Sequence, residues 1–168
     1  MLRYLTILLC VFLLASCMPS PYYQKNHTVP GNAWDLGFKP GFKVAITDTG
    51  VFYTVYFLIR HTEAYPYSNL WLRVHSTQPG DTIPEVSRIE IPLAAPSGQW
   101  LGRGMGGIWE HRMILTGRQD KSLFAKPGTY ELSLEQDMRV NPLPEVLQVG
   151  LRVEKGEKRT GISQPDNP

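Results

Sequence analysis

The sequence has few cysteines and little net charge. Its 168 residues include 2 cysteines, Cys10 and Cys17, and the formal net charge is +2. Both cysteines lie near the N-terminus, which excludes a disulfide or a thiol nucleophile from a domain that follows them. The small net charge does not indicate nucleic acid or a polybasic membrane contact as a partner. The hydrophobic content of 42% is sufficient for one domain with its own core.

The chain also lacks an apolar run long enough to cross a membrane. Residues 5–14 (LTILLCVFLL) are apolar, but a spanning helix needs ~20 such residues. Arg3 before this run and the small residues Ala15 and Ser16 after it form a secretory signal pattern. The next residue, Cys17, resembles the lipidated cysteine of a bacterial lipobox. We therefore predict that residues 1–16 are a lipoprotein signal peptide and that Cys17 receives the lipid anchor.

The rest of the chain divides into three segments by composition. Residues 17–28 contain prolines and several polar residues and are predicted to be a lipidated tether. Residues 29–158 are predicted to form the folded domain. Residues 159–168 (RTGISQPDNP) lack apolar periodicity and are predicted to be a flexible tail.

Helical periodicity is scarce after the signal peptide, whereas alternation of apolar and polar residues is common. Such alternation indicates strands with one buried and one solvated face. In the last strand it assigns Leu147 to the buried face and Val146 to the solvated face. We predict an all-β fold, an antiparallel β-sandwich of the jelly-roll or immunoglobulin-like type, after an N-terminal signal helix. A closed up-and-down barrel is the alternative. The predicted strands cover residues 51–61, 70–75, 88–93, 108–115, 129–136 and 145–154.

The sequence has no recognisable catalytic or metal-binding pattern. Its histidines lack metal-site spacing, although His61 and His75 could meet across paired strands. Glu131, Glu135 and Glu110 are assigned to solvated strand faces, and no nucleophile elbow is present. We therefore expect no catalytic residues, no metal and no cofactor. The four histidines are His27, His61, His75 and His111.

Two segments combine aromatic side chains with turn-forming residues, and both are candidate partner-binding surfaces. Residues 65–71 (YPYSNLW) are dense in the aromatics that protein interfaces favour. Residues 100–107 (WLGRGMGG) place a tryptophan before glycines, and the strand predicted after them argues against a phosphate-binding loop. The alternatives are a structural corner capped by tyrosine hydroxyls and a mobile or bulged connection. The candidate residues are Tyr65, Tyr67, Trp71, Trp100, Gly102 and Gly104.

Four segments together carry a family resemblance: residues 65–71, 99–108 (QWLGRGMGGI), 136–139 (QDMR) and 149–154 (VGLRVE). Their order and spacing, with the lipobox, resemble the gliding-motility lipoproteins called GldH, a family of Bacteroidota. The resemblance implies a lipid-anchored envelope protein that supports gliding or the linked type IX secretion apparatus. It implies contacts with other envelope proteins of that apparatus and no catalysis. Only Cys17 receives a defined role from it, as the lipidated residue.

Two short motifs bear on location. Lipoproteins exported to the cell surface in this phylum tend to carry an acidic run after the cysteine, and residues 18–22 (MPSPY) have no acid. We therefore expect an outer-membrane anchor with a periplasm-facing domain. Asp81, Thr82 and Ile83 resemble an O-glycosylation motif of the same phylum. A carbohydrate-binding sandwich, with tyrosine and tryptophan stacked on sugar rings, is the alternative function. A hydrolase built on Glu110 and His111 is a third.

Overall fold

The computed structural model describes residues 20–116 and 123–159. Cys17, the predicted signal helix and residues 160–168 of the predicted tail lie outside the described residues. The regular secondary structure of the described residues is strand, apart from one 3-10 turn at Pro30–Asn32. Its strands are β1 (Tyr23–Thr28), β2 (Ala33–Trp34), β3 (Gly41–Ile46), β4 (Val51–Thr62), β5 (Asn69–Thr77), β6 (Glu85–Pro92), β7 (Arg103–Met105), β8 (Ile108–Ile114), β9 (Gly128–Gln136), β10 (Leu143–Pro144) and β11 (Val146–Lys158).

The strands form two main antiparallel sheets, and the predicted all-β sandwich is confirmed. The first sheet has the order β1-β11-β4-β8-β7 and the second the order β3-β9-β5-β6, while β2 and β10 form a small ribbon. One buried apolar cluster joins the inner faces of both sheets. Phe57 of the first sheet and Leu72 of the second are both fully buried in it. Two sheets that share one core are the defining feature of a β-sandwich.

The alternation that predicted the central strands matches the observed burial. In β5, Leu70, Leu72 and Val74 are buried, while Trp71 and Arg73 lie on the outer face and are partly exposed. The same period appears in β3, which the sequence analysis missed, because Phe42, Val44 and Ile46 alternate there with exposed residues. Period-two burial therefore explains both the strands that were predicted and this one.

The assignment of Val146 to the solvated face is wrong. Val146 is fully buried and Leu147 is partly exposed. The register between β11 and β4 shifts between Val146 and Gln148, where Val146 lies opposite His61 and Gln148 lies opposite Arg60. This irregularity inserts an extra residue and reverses the side-chain phase, as a β-bulge does.

The sheet begins earlier than the predicted boundary between tether and domain. Tyr23–Thr28 form β1 and pair with β11 in register from Tyr23 opposite Val153 to Thr28 opposite Gln148. β1 is an edge strand, so one of its long sides has no partner strand and one of its faces is in solvent. Polar residues suit such a strand, and for this reason their polarity did not indicate one. Only residues 17–22 remain for a tether between Cys17 and the first strand.

The long strands define two ends of the sandwich. The entry end holds Ser20 and Pro21, the start of β4 at Val51 and the end of β11 at Lys158, which lies opposite Val51. The hairpin end holds the end of β4 at Thr62 and the hairpin formed by β7 and β8. The twelve residues of β4 separate these ends by about 36 Å. Among the described residues, no helix has the length and apolarity needed to span a membrane.

Candidate partner-binding site

The hairpin end brings together most of the residues predicted to bind a partner. The ring centroids of Tyr65 and Tyr67 are 5.8 Å apart, and those of Tyr65 and Trp100 are 6.3 Å apart. Trp100 also lies 6.4 Å from Trp109, on the strand that pairs with the glycine-containing β7. Trp71 is not part of this cluster, because it lies on the outer face of the second sheet.

Tyr65 belongs to the core of this end and does not face a partner. Its side chain is 3% exposed, and its hydroxyl donates a hydrogen bond of 3.0 Å to the carbonyl oxygen of Asn69. Burial raises the pKa of the Tyr65 phenol, and the nearby Tyr67 raises it further. The structure therefore places Tyr65 in the alternative role, a corner that its hydroxyl caps.

Trp100 is half-buried and covers a pair of histidines. Its ring lies 4.5 Å from the His61 ring, edge to face, and 6.4 Å from the His111 ring. The loop before it is fixed by a bridge between Ala94 and Trp100 and by a hydrogen bond from the Leu101 N–H to the Leu93 carbonyl. Trp100 therefore closes the core at this end while one part of its ring remains at the surface.

The two histidines form a buried, neutral hydrogen-bonded pair. His61 and His111 are less than 2% exposed, and their Nε2 atoms are 2.9 Å apart. His61 Nδ1 donates to the Thr62 carbonyl at 2.7 Å, and because a carbonyl only accepts, the Nε2 of neutral His61 accepts from His111. His111 Nδ1 is thus a bare acceptor, and it has no hydrogen-bond partner among the described residues. Sequence reasoning missed this pair because it depends on how β4 and β8 align.

Burial lowers the pKa of both histidines. The pKa of His61 falls because its ring is desolvated, although the hydrogen bond to Thr62 opposes this change. Desolvation and the neighbouring His61 lower the pKa of His111 to about 4. Both rings are therefore uncharged at neutral pH, which removes the repulsion that two buried imidazolium groups would exert.

Two glycines allow the hairpin to approach the histidine and tryptophan rings. A Cβ atom on Gly102 would lie 2.5 Å from the Glu110 carbonyl oxygen and 2.8 Å from His111 Nε2. A Cβ atom on Gly104 would lie 2.9 Å from the Trp109 ring. The two predicted glycines therefore have a packing role, because any side chain at Gly102 would displace the backbone or His111.

The hairpin presents apolar side chains to solvent. Met105 is 88% exposed and Leu101 is 54% exposed. The turn between β7 and β8 consists of Gly106 and Gly107, both with positive φ, as a tight two-residue hairpin turn requires. We call the outer parts of Trp100, Leu101, Met105 and Trp109 the hairpin surface. Met105 lies within the predicted segment 100–107 and directly follows Gly104, but it was not singled out as a candidate residue.

The outer face of the second sheet carries Trp71 within a network of charges. The Arg88 guanidinium lies 3.7 Å from the centre of the Trp71 ring and also pairs with Asp137 at 2.5 Å. Glu135, which the alternation assigned to a solvated face, is 8% exposed, because Lys39 and His75 lie over it. Burial opposes its ionisation, but the hydrogen bonds from Lys39 and His75 outweigh burial and lower its pKa. This face is therefore organised by ion pairs rather than by free aromatic rings.

The described residues contain no group of three or more histidine, cysteine, aspartate or glutamate side chains placed to hold a metal ion. His61 meets His111 rather than His75, which pairs with Glu135 at 2.8 Å. Thr82 lies in the exposed turn between β5 and β6, in line with its predicted loop position.

Similarity to known proteins agrees with the family resemblance. Residues 21–153 match the GldH lipoprotein family. A gliding motility lipoprotein GldH homolog of Christiangramia forsetii is 27% identical over 155 residues, which cover 88% of this chain and 91% of the relative. The gliding motility lipoprotein GldH of Flavobacterium johnsoniae is 26% identical over 156 residues, covering 89% and 94%. The matched residues include strands of both sheets, and the chain belongs to the GldH lipoprotein family.

Proposed function

We propose that this protein is a non-enzymatic lipoprotein that supports the assembly or stability of the gliding and type IX secretion machinery. In this proposal, acyl chains on Cys17 hold it at the outer membrane, with its domain facing the periplasm. Each buried methylene contributes about 0.8 kcal/mol, so two or three acyl chains anchor a protein stably. The hairpin surface makes contacts with other envelope proteins.

The observation that supports this proposal is the exposure of apolar side chains on a rigid support. Met105 and Leu101 project from a hairpin that is held from beneath by Trp100 and Trp109. The Glu63 N–H donates to the Gly107 carbonyl at 2.8 Å, which ties the hairpin turn to the loop after β4. Apolar side chains that are already fixed lose little entropy on binding, and neighbouring aromatics favour protein contacts.

The position of the hairpin also suits a contact away from the membrane. The described chain starts at the entry end, and the hairpin surface lies at the other end of β4, about 36 Å away. A lipid anchor just before the entry end would leave the hairpin surface free to meet proteins in the periplasm.

The contact is tested by crosslinking in the native membrane and identification of the captured proteins. We expect Met105→Ser and Leu101→Ser together to reduce the yield of crosslinked envelope proteins several-fold without loss of fold. Val86→Ser is the matched control, because Val86 is 51% exposed but lies on β6 of the second sheet. Equal capture by the double variant and the parent would contradict the proposed surface.

The anchor is tested by Cys17→Ala. We expect this variant to leave the membrane fraction, because it has no thiol to accept the lipid. Mass spectrometry of the parent N-terminal peptide provides the direct measurement. A Cys17→Ala protein that stays membrane-bound after a carbonate wash would contradict acyl anchoring.

Carbohydrate binding is the second candidate, and a hollow of about 460 Å³ on the second sheet favours it. The hollow is lined by Tyr67 and by Trp71, one face of whose ring Arg88 covers, beside the carboxylate of Asp137 and the guanidinium of Arg139. Aromatic rings next to such polar groups are typical of sugar sites. A glycan array with the purified protein tests this candidate, and binding that Trp71→Ala abolishes would support it.

A further inference from the structure

The first sheet brings the start of the described chain beside a cluster of basic side chains on its outer face. Ser20, Pro21 and Tyr22 line a surface hollow together with Arg112, Arg152, Glu154 and Lys155. The hollow measures about 560 Å³ and opens on the outer face of the first sheet. Lys155 lies 5.1 Å from the centre of the Tyr22 ring, so the N-terminal segment and the basic side chains form one surface.

The reach of the chain places this surface beside the lipid. Cys17 is three residues before Ser20, and three extended residues span at most about 11 Å. Because β1 begins at Tyr23 rather than after Thr28, no longer tether can carry the domain away from the bilayer. The hollow around Ser20 must then lie within reach of the phospholipid headgroups.

The basic side chains of this surface outnumber its carboxylates, which suits phosphate, and Lys155 itself pairs with Asp48 at 3.3 Å. Lys158 and Arg159 extend the basic cluster at the end of β11, while the carboxylates among the described residues here are Asp48, Glu154 and Glu157. Glu154 accepts hydrogen bonds from both Arg112 and Arg152, at 3.3 and 2.6 Å. Arg112 nevertheless keeps half of its side chain exposed. The +2 charge of the whole chain did not indicate this local excess of cations.

An apolar component accompanies the charges. Ile114 is 43% exposed on the same face as Arg112, two residues along β8. The Arg112 guanidinium also lies 4.8 Å from the centre of the Tyr56 ring. Tyr56 is itself buried, so the exposed Ile114 and Arg112 are the side chains here that suit the boundary between headgroups and acyl chains.

We infer that the outer face of the first sheet, from the entry end to the middle of its strands, is a lipid-docking surface, in which Arg112, Arg152 and Lys155 contact the phosphates of anionic phospholipids. This inference rests on the proposed anchoring through Cys17. The anchor supplies the binding free energy, and the surface fixes the orientation of the domain, because an anionic bilayer attracts basic side chains that lie near it.

The test uses the lipidated full-length protein in vesicles of phosphatidylcholine alone or of phosphatidylcholine mixed with phosphatidylglycerol. The rate at which an amine-reactive reagent labels each lysine is measured by mass spectrometry. We expect the anionic lipid to slow the labelling of Lys155 several-fold and to leave Lys43, on the second sheet, unchanged. High salt should restore the labelling of Lys155, because salt screens contacts between exposed charges.

Arg112→Glu should reduce the protection of Lys155 by anionic lipid, with circular dichroism confirming the fold. Arg139→Glu is the matched control, because Arg139 is exposed and lies outside the first sheet. An N-terminal peptide without acyl mass would overturn the anchoring proposal. An acylated protein in which Lys155 is labelled equally in both kinds of vesicle would overturn the lipid-docking surface alone.

Discussion

The two ends of the sandwich are closed by different kinds of interaction. At the hairpin end, Trp100 covers the neutral pair of His61 and His111, and Gly102 packs directly on His111. Towards the entry end, Lys155 binds Asp48 at 3.3 Å, and on the outer face of the first sheet Glu154 binds two arginines. The first end depends on close packing and the absence of charge, whereas the second depends on charge pairs that solvent can reach. One fold therefore has two ends that should respond to different perturbations.

The largest expected effect is at Gly102. Gly102→Val places side-chain atoms against the Glu110 carbonyl and His111, so we expect a loss of about 1–3 kcal/mol in the free energy of unfolding. Gly104→Val is the control, because the atoms nearest to its Cβ belong to the Trp109 side chain, whereas at Gly102 the nearest atom is a backbone carbonyl oxygen. Urea denaturation followed by circular dichroism measures both. An equal loss for the two variants would show that the hairpin end is not closed by the contact at Gly102.

Acid should destabilise the hairpin end first. His61 and His111 have pKa values lowered from 6.5 in the folded state. As pH falls below 6.5, the unfolded chain therefore binds protons that the folded chain does not bind. We expect the urea midpoint to be constant above about pH 7 and to fall from pH 6.5 towards 4.

The control for this pH response is His111→Phe, which keeps an aromatic ring and removes one titrating group. We expect it to reduce the slope of stability against pH as the pH falls from 6.5 towards 4. Its stability at pH 7 should differ less from that of the parent than its response to acid does. The carboxylates affect stability at a lower pH than the histidines do. Burial raises the pKa of Glu154, but hydrogen bonds from Arg152 and Tyr56 lower it overall from 4.5, so its contribution is lost only as pH falls below that value. An unchanged slope in His111→Phe would contradict the assignment of the upper window.

The smallest expected effect is at the entry end. Glu154→Gln removes the charge that Arg112 and Arg152 share, and we expect a loss of about 0.5–1 kcal/mol that salt reduces. Glu131→Gln is the matched control, because Glu131 pairs with the exposed Lys43 at 2.6 Å and both side chains are mostly in solvent. Thermal unfolding at low and high salt compares them. A salt-independent loss for Glu154→Gln would show that its charge pairs are not what closes this end.

Local alternation predicted much of the sandwich, because buried strands need an apolar residue at every second position. It failed where a single residue changed the phase, as at Val146, and where an edge strand was polar on its open side, as in β1. Both failures have a common cause, since a bulge and an edge are properties of how strands pair. The alternation within one strand does not contain that information.

The candidate site was only partly predictable for the same reason. Trp100 and Gly102 were singled out as unusual neighbours, and both lie in the observed cluster at the hairpin end. The histidine pair follows from the register of β4 and β8, in which Ile59 lies opposite His111 and His61 lies opposite Trp109. His61 has the same inward phase as Ile59, which is a signal that could have identified it as buried. Its partner required the alignment of two distant strands.

The pairing of β1 with β11 has a mechanical consequence. Tyr23–Thr28 are the first residues of the fold, so tension on the preceding segment reaches the domain through this ladder. In antiparallel pairs the hydrogen bonds run perpendicular to the strands. A pull along β1 therefore loads all of its hydrogen bonds with β11 at the same time, so that they resist together rather than one after another.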